Sequence, residues 1–319
     1  MPMETLANGR FKMKASNNRG AVATWASDGV FEILSGRSLR LKRRVAFGKV
    51  FFEKYAPRTR SSGPSGGDNA RQLRERALRR LRTLDFAFDS DAARMALSGP
   101  QPGSSVWLVS GKEEHEMAVT PSAGIEGVSF VSLSSDGRRL AVGGYGSACE
   151  IIDTEHLSSA TVYRGHESVE QGLFIQWIEF SYDGSLVATA NEGLCAVWEP
   201  KSGDTLSRVE GCTFARFSPD GSEVLATDRK ECFWWRLSGG EKAYYAGHEA
   251  SVVAATWSPS GDQIASGDQK GRVHVWRKGD GLLLDSFGSV FGSPVRDICW
   301  VQAGVLVLFA DGIVARWAM

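Results

Sequence analysis

Residues 247–276, GHEASVVAATWSPSGDQIASGDQKGRVHVW, read as three short strands separated by turns. Val253, Ala255 and Trp257 alternate with their neighbours at the period of a strand, because successive side chains of an extended chain point to opposite faces. Ser258-Pro259-Ser260-Gly261 has turn chemistry: proline presets φ, and glycine tolerates backbone conformations that other residues avoid. After a break at Gly271, Val273 and Val275 begin a third alternating run. No helix-period pattern fits the stretch.

Degraded copies of this triplet recur along the chain. The turn glycines Gly137, Gly184, Gly221, Gly261 and Gly304 are separated by 47, 37, 40 and 43 residues. The ends of the third strands, Ile152, Trp198, Trp235, Trp276 and Trp317, step by 46, 37, 41 and 41. A shared period of roughly 40 to 45 residues is that of propeller blades, units that cannot cover their own apolar faces. With Gly165-His166, Gly247-His248, two Ser-Pro-x-Gly turns and the closing tryptophans, the chain resembles the WD-repeat β-propeller family over nearly all its length. The resemblance implies one all-β domain over residues 1–319, a seven-bladed propeller of four-stranded antiparallel blades.

In that family a His before the first strand of a blade, an Asp in the turn between its second and third strands, and the third-strand Trp form a hydrogen-bonded network. Six residues before Trp276 stands Lys270, and six before Trp198 stands Glu192, so neither Gly-His blade has the usual Asp at that spacing. Asp311, six before Trp317, has no Gly-His in its own blade. Stability is therefore expected mostly from apolar packing between blades. His166, His248, Trp198, Trp235, Trp276 and Trp317 are assigned structural blade positions.

Seven blades of about 40 residues need about 280 of the 319 residues, leaving room for one insertion. In the fourth blade the first strand is expected at 174–180, and in the fifth at 212–217. The last unit, with strands in VRDICW, VLVLFA and IVARWA, lacks a fourth strand, while residues 3–7 have no blade of their own. The resemblance implies that the N-terminal segment, within residues 1–9, supplies the missing strand and so removes exposed edges.

Thirty-seven basic and 37 acidic residues cancel, so total charge says nothing of partners. Its distribution does. From Arg37 to Arg82 fifteen Lys or Arg stand against Glu53, Asp68 and Glu75, a net charge of +12 that the rest of the chain balances. Residues 54–82 read as a basic insertion between the first and second blades: linker composition over 57–67, then a short helix from Ala70 to about Arg82. Leu73, Ala77, Leu81 and Leu84 follow the i, i+4, i+8 spacing of one apolar stripe. Arg74, Arg76, Arg79 and Arg80, with Arg43 and Arg44, are the candidate partner-binding residues, because clustered Arg recognises carboxylates bidentately and neutralises phosphate. Three fates compete: a solvated helix paired to the acidic blades, docking of an acidic protein or RNA, and, weakest, a membrane surface.

The five cysteines show no Cys-x-x-Cys spacing and are expected as buried free thiols in a reducing compartment. The start, MPMETLANGR, has no apolar h-region, and no apolar run is long enough to span a bilayer, which places the protein in cytoplasm or nucleus. No phosphate-binding loop, His-Glu-x-x-His or Gly-x-Ser-x-Gly occurs, and His115, His156 and His274 are scattered over different blades. The sequence thus predicts a non-catalytic scaffold with no cofactor, metal or small-molecule substrate. Its partners are other proteins, with RNA binding through residues 37–82 as the alternative.

Overall fold

The computed structural model describes residues 4–7, 10–16, 20–26, 30–46, 85–98, 105–110, 113–118, 125, 127–166, 174–191, 193–289 and 292–318. The expected helix and Arg74, Arg76, Arg79 and Arg80 lie outside these. After β1 (Glu4–Ala7), blade 1 comprises β2 (Arg10–Ala15), β3 (Ala21–Ala26), β4 (Val30–Ser35) and β5 (Leu41–Ala46). Blade 2 holds β6 (Phe86–Phe88), β7 (Arg94–Ser98), β8 (Ser105–Ser110) and β9 (Glu113–Ala118). Blade 3 holds β10 (Gly127–Leu133), β11 (Arg139–Tyr145), β12 (Cys149–Asp153) and β13 (Ser158–Tyr163). Blade 4 holds β14 (Trp177–Phe180), β15 (Val187–Ala190), β16 (Leu194–Trp198) and β17 (Thr205–Glu210). Blade 5 holds β18 (Arg216–Phe217), β19 (Glu223–Asp228), β20 (Glu231–Arg236) and β21 (Lys242–Tyr245). Blade 6 holds β22 (Val252–Trp257), β23 (Gln263–Asp268), β24 (Arg272–Arg277) and β25 (Leu283–Gly288). Blade 7 is β26 (Val295–Val301), β27 (Gly304–Phe309) and β28 (Val314–Trp317), with β1 as its outer strand, where Glu4 pairs Arg316 and Thr5 pairs Ala315.

The core is divided into seven apolar layers, one at each junction between neighbouring blades. Trp25, Phe31 and Ile33 of blade 1 meet Phe86, Met95 and Leu97 of blade 2, for example, and Val273 and Val275 of blade 6 meet Ile298, Val305 and Val307 of blade 7. The ring closes through Met13 and Val22 of blade 1 against Cys299, Leu306, Leu308 and Val314 of blade 7. Middle strands are therefore covered on both faces. All six residues of β27 and all five of β16 are buried, and their sequences GVLVLF and LCAVW do not alternate. Where blades converge, side chains must shrink: a Cβ on Gly267 would lie 2.7 Å from Ile298 Cδ1, and one on Gly143 2.9 Å from Ile178 Cδ1.

Two first strands are shorter than expected, for identifiable reasons. Phe174 bridges to Tyr145 and Gly146 of blade 3 rather than extending β14. In blade 5 only Arg216 and Phe217 pair with β19, because Phe214 turns away to pack on Trp177 and Cys212 is held to blade 4. That tie corrects the expectation of five free thiols. Cys195 on β16 and Cys212 form a disulfide across the junction of blades 4 and 5, with Cα atoms 5.9 Å apart, a proximity created by blade stacking and invisible in a spacing of 17 residues. Cys149, Cys232 and Cys299 are buried free thiols, and burial pushes Cys232 up to about 12. No helix among the described residues is long and apolar enough to cross a membrane.

The hydrogen-bonded blade network also needs correcting. In blade 6 the Asp is present: Asp268, at the end of β23, accepts from His248 Nδ1 at 3.2 Å, while its other oxygen takes the backbone N–H groups of Lys270 and Arg272 at 2.9 Å. Ser266 Oγ lies 2.8 Å from His248 Nε2 and accepts from Trp276 Nε1 at 3.2 Å. Counting back from Trp276 missed it because the carboxylate caps the turn from its first residue. In blade 4, Thr189 joins His166 (2.9 Å) to Trp198 (3.2 Å), but Asn191 occupies the acid's place, and His166 Nδ1 has no hydrogen-bond partner among the described residues. The glycine of each Gly-His pair has a steric cause, since a Cβ at Gly165 or Gly247 would collide with the hydroxyl end of Tyr163 or Tyr245. Those two rings stack on Trp198 and Trp276 at 4.5 and 4.6 Å. Each network hydrogen bond is worth about 1 kcal/mol net, against about 1.5 to 3 kcal/mol for each large apolar side chain buried, so packing between blades dominates.

Deleting residues 1–8 should remove three paired positions and the partly buried Leu6, a loss of about 3 kcal/mol or more and several degrees in melting temperature. A truncated chain that melts like the full one would show that β1 contributes little to closure. Stability should also depend on pH through His166, which burial, helped by Arg208, lowers to about 4. The unfolded chain takes up the proton first, at its ordinary value near 6.5, so stability is complete above that pH and declines as pH falls towards 4. The slope from this residue is up to about 1.4 kcal/mol per pH unit. Urea denaturation at pH 7.5 and 5 should show the decline, and His166→Phe should make it shallower, with His274, which burial lowers to about 4, and His248, also lowered by burial, supplying the remainder.

Candidate functional site

The first strand of each blade lines a central channel, and charged side chains on these strands organise it around two hubs. Asp85, just before β6, accepts from Lys14 Nζ at 3.1 Å and from Val131 N at 3.1 Å, while Lys12 Nζ lies 3.9 Å from its other oxygen. Lys14 also donates to Val131 O, so this carboxylate joins blades 1, 2 and 3. Arg216 on β18 does the same for the other four. Its guanidinium donates to Ile298 O at 2.7 Å, Asp297 Oδ1 at 3.2 Å and Ala255 O at 3.3 Å, lies 3.7 Å from Glu179 Oε2, and covers the Trp177 ring at 5.1 Å. Burial pushes the Asp297 carboxyl above the ordinary carboxylate range, with the Arg216 charge acting against it. It also pulls the Lys12 ammonium down, offset in part by Asp85.

The hub residues themselves line a cavity of about 320 Å³ in the channel, whose wall also includes Lys12, Phe130, Trp177, Phe214 and Arg296. One side is aromatic. Trp177 packs on Phe214 at 5.6 Å, and a relay runs from Phe130 through Phe174 to Tyr145, which is 62% exposed at the rim. The opposite side carries Lys12 and Arg296. A cavity of this size, with apolar walls and few converging charges, suits a side chain or a short peptide segment. Among the described residues no group of three or more His, Cys, Asp or Glu could hold a metal ion.

Of the residues singled out from sequence that the structure describes, none lines this cavity. Arg43 Nη1 donates to Ala92 O of blade 2 at 2.6 Å, and Arg44 pairs with Glu32 at 3.0 Å while 65% exposed, so the two neighbours serve different surfaces. His166 and His248 reach Trp198 and Trp276 through one hydroxyl each, whereas Trp235 donates to Ser207 and Trp317 to Asp285, without a histidine. Lys12, Asp85, Arg216, Asp297 and Trp177 were missed. Their signal was present: charged residues embedded in first strands, as in FKMKA and VRDICW, face an axis where an apolar residue would be cheaper.

Compared with known proteins, residues 239–277 match the family described as WD domain, G-beta repeat. Echinoderm microtubule-associated protein-like 2 of Homo sapiens is 28% identical over 132 residues, which is 38% of this chain and 20% of that protein. Telomerase protein component 1 of Rattus norvegicus is 27% identical over 200 residues, 59% of this chain and 7% of that protein. Actin-interacting protein 1 of Drosophila melanogaster is 40% identical over 58 residues, 18% and 9% of the respective chains. The matches thus span a fifth or less of these relatives' lengths. Among solved structures, the Cps50 (Swd1) β-propeller domain of Myceliophteria thermophila superposes with a TM-score of 0.71 at 12% identity, covering 100% of both chains, a likeness of fold alone.

Replacing Arg216 by Ala should leave Asp297 without its main counter-charge and cost about 3 to 5 kcal/mol. Arg44→Ala, at an exposed pair, should cost about 1 kcal/mol or less. Equal losses in chemical denaturation would remove Arg216 as the hub of blades 4 to 7.

Proposed function

We propose that the chain, a propeller similar to the WD-repeat family, is a divergent member of it and a non-catalytic scaffold, a subunit of a larger multiprotein complex. Propellers of this family are typically protein-interaction scaffolds and generally not enzymes, although fold alone does not fix a function. The observation that carries the reading is the preformed channel mouth: Lys14, Asp85, Arg216 and Asp297 are tied into structural hubs, and the cavity presents an aromatic wall opposite Lys12 and Arg296. Relatives named for microtubule association and actin interaction support a binding role. Affinity purification from native extract, with size-exclusion chromatography, tests it. Recovery in a stable assembly is expected, and a chain found only as a free monomer would overturn it.

The basic segment supplies a second contact in this proposal. Replacing Arg74, Arg76, Arg79 and Arg80 by Glu changes the net charge of residues 37–82 from +12 to +4. The quadruple variant should melt as the parent does, since isolated surface ion pairs are worth about 1 kcal/mol or less, yet lose an acidic partner. Undiminished partner recovery would leave the segment without a binding role. Steeply salt-dependent binding to generic RNA, lost on deletion of residues 57–82, would favour the nucleic-acid alternative.

A further inference from the structure

The charges around the channel do not balance among themselves. Lys12, Lys14, Arg216 and Arg296 line the cavity, against Asp85 and Asp297, with Glu179 beside Arg216. Arg216 takes Asp297 and Glu179, and Lys14 takes Asp85 at 3.1 Å. Lys12 shares Asp85 from 3.9 Å, and Arg296, exposed at the start of β26, has no carboxylate within 4 Å among the described residues. Among the described residues, four cations against three carboxylates leave one positive charge, and the two cations with least compensation, Lys12 and Arg296, both line the cavity and act on each other electrostatically. Both carboxylates of the wall would repel a doubly charged group, so the surplus matches one single negative charge.

The aromatic wall constrains the occupant further. Trp177 has Arg216 over its ring and Phe214 against it, and Phe174 lies against both Phe130 and Tyr145. Arg216 covers one face of the Trp177 ring, so that ring offers an edge and an apolar flank more readily than a stacking platform. A cationic guest is disfavoured by the surplus positive charge.

We propose that the channel mouth receives one aspartate or glutamate side chain of a protein partner, its carboxylate taken up by Lys12 and Arg296 and its apolar flanking residues lying against Phe130 and Trp177. The inference rests on the scaffold reading and gives that reading a partner chemistry. It places acid recognition on the propeller itself, separate from the basic segment.

The test uses the full chain and two fluorescein-labelled peptides, Gly-Leu-Glu-Leu-Gly and Gly-Leu-Gln-Leu-Gly, with oligouridylate as the third probe. The Glu peptide should bind at least about tenfold more tightly than its Gln counterpart, as expected for a charge-assisted contact. Arg296→Gln, at an exposed position, should leave the melting temperature unchanged and bring the ratio to within about twofold, and Lys12→Gln should do the same in part. Equal binding of the two peptides, no binding of either up to about 1 mM, or a ratio untouched by Arg296→Gln would overturn the proposal. So would oligouridylate binding that is tighter than the Glu peptide and lost in Arg296→Gln. Affinity purification separates the two readings. If Arg296→Gln recovers every native partner, the mouth falls and the scaffold stands; if the parent recovers none yet discriminates the peptides, only the scaffold falls.

Discussion

Each blade of this protein has two apolar faces and can cover neither by itself. Every one of the seven apolar layers is shared between neighbours, and the layer joining blades 7 and 1 forms only when the array bends into a ring. Closure is therefore a condition of stability for the whole molecule. It explains why middle strands are apolar throughout, why Gly143 and Gly267 have no side chain where blades converge, and why β1 is taken from the far end of the chain.

Polar interactions divide the same labour differently. Asp85 draws together three blades, and Arg216 the remaining four, with bonds to backbone carbonyls that a flexible pair of surface charges could not reproduce. Such groups in a half-enclosed channel stabilise less than an equal volume of apolar packing would, because desolvation offsets much of their attraction. What they supply is placement: Lys14, Asp85, Arg216 and Asp297 line the cavity already held by these bonds, as a site that must meet a partner without reorganising requires.

Much of the architecture was legible because its causes are local. Gly137, Gly184, Gly221 and Gly261 all adopt φ between 69° and 80°, in turns where a serine hydroxyl two residues or more away meets an aspartate, and that chemistry repeats in plain sequence. Trp198 and Trp276 were legible from the shared period of the third-strand ends, whereas the tyrosine before each Gly-His that stacks on them was not singled out. The site was much less so. Arg216 meets Ile298 across 82 positions and Lys14 meets Val131 across 117, distances at which no spacing rule operates. Asp268 was overlooked within a single hairpin because its function depends on turn geometry and not on its distance from Trp276.

The pairing of Glu4 with Arg316 also sets a clock on synthesis. About 310 residues must be made between the two halves of that ladder, which at ribosomal speed takes on the order of 15 to 60 s. Through that interval the first strand has no partner, and the open faces of blade 1 and of the newest blade are both exposed. Local hairpins can form as they emerge, since their contacts span few residues, but the last apolar layer cannot. The nascent chain thus carries unpartnered apolar faces until β28 has left the ribosome.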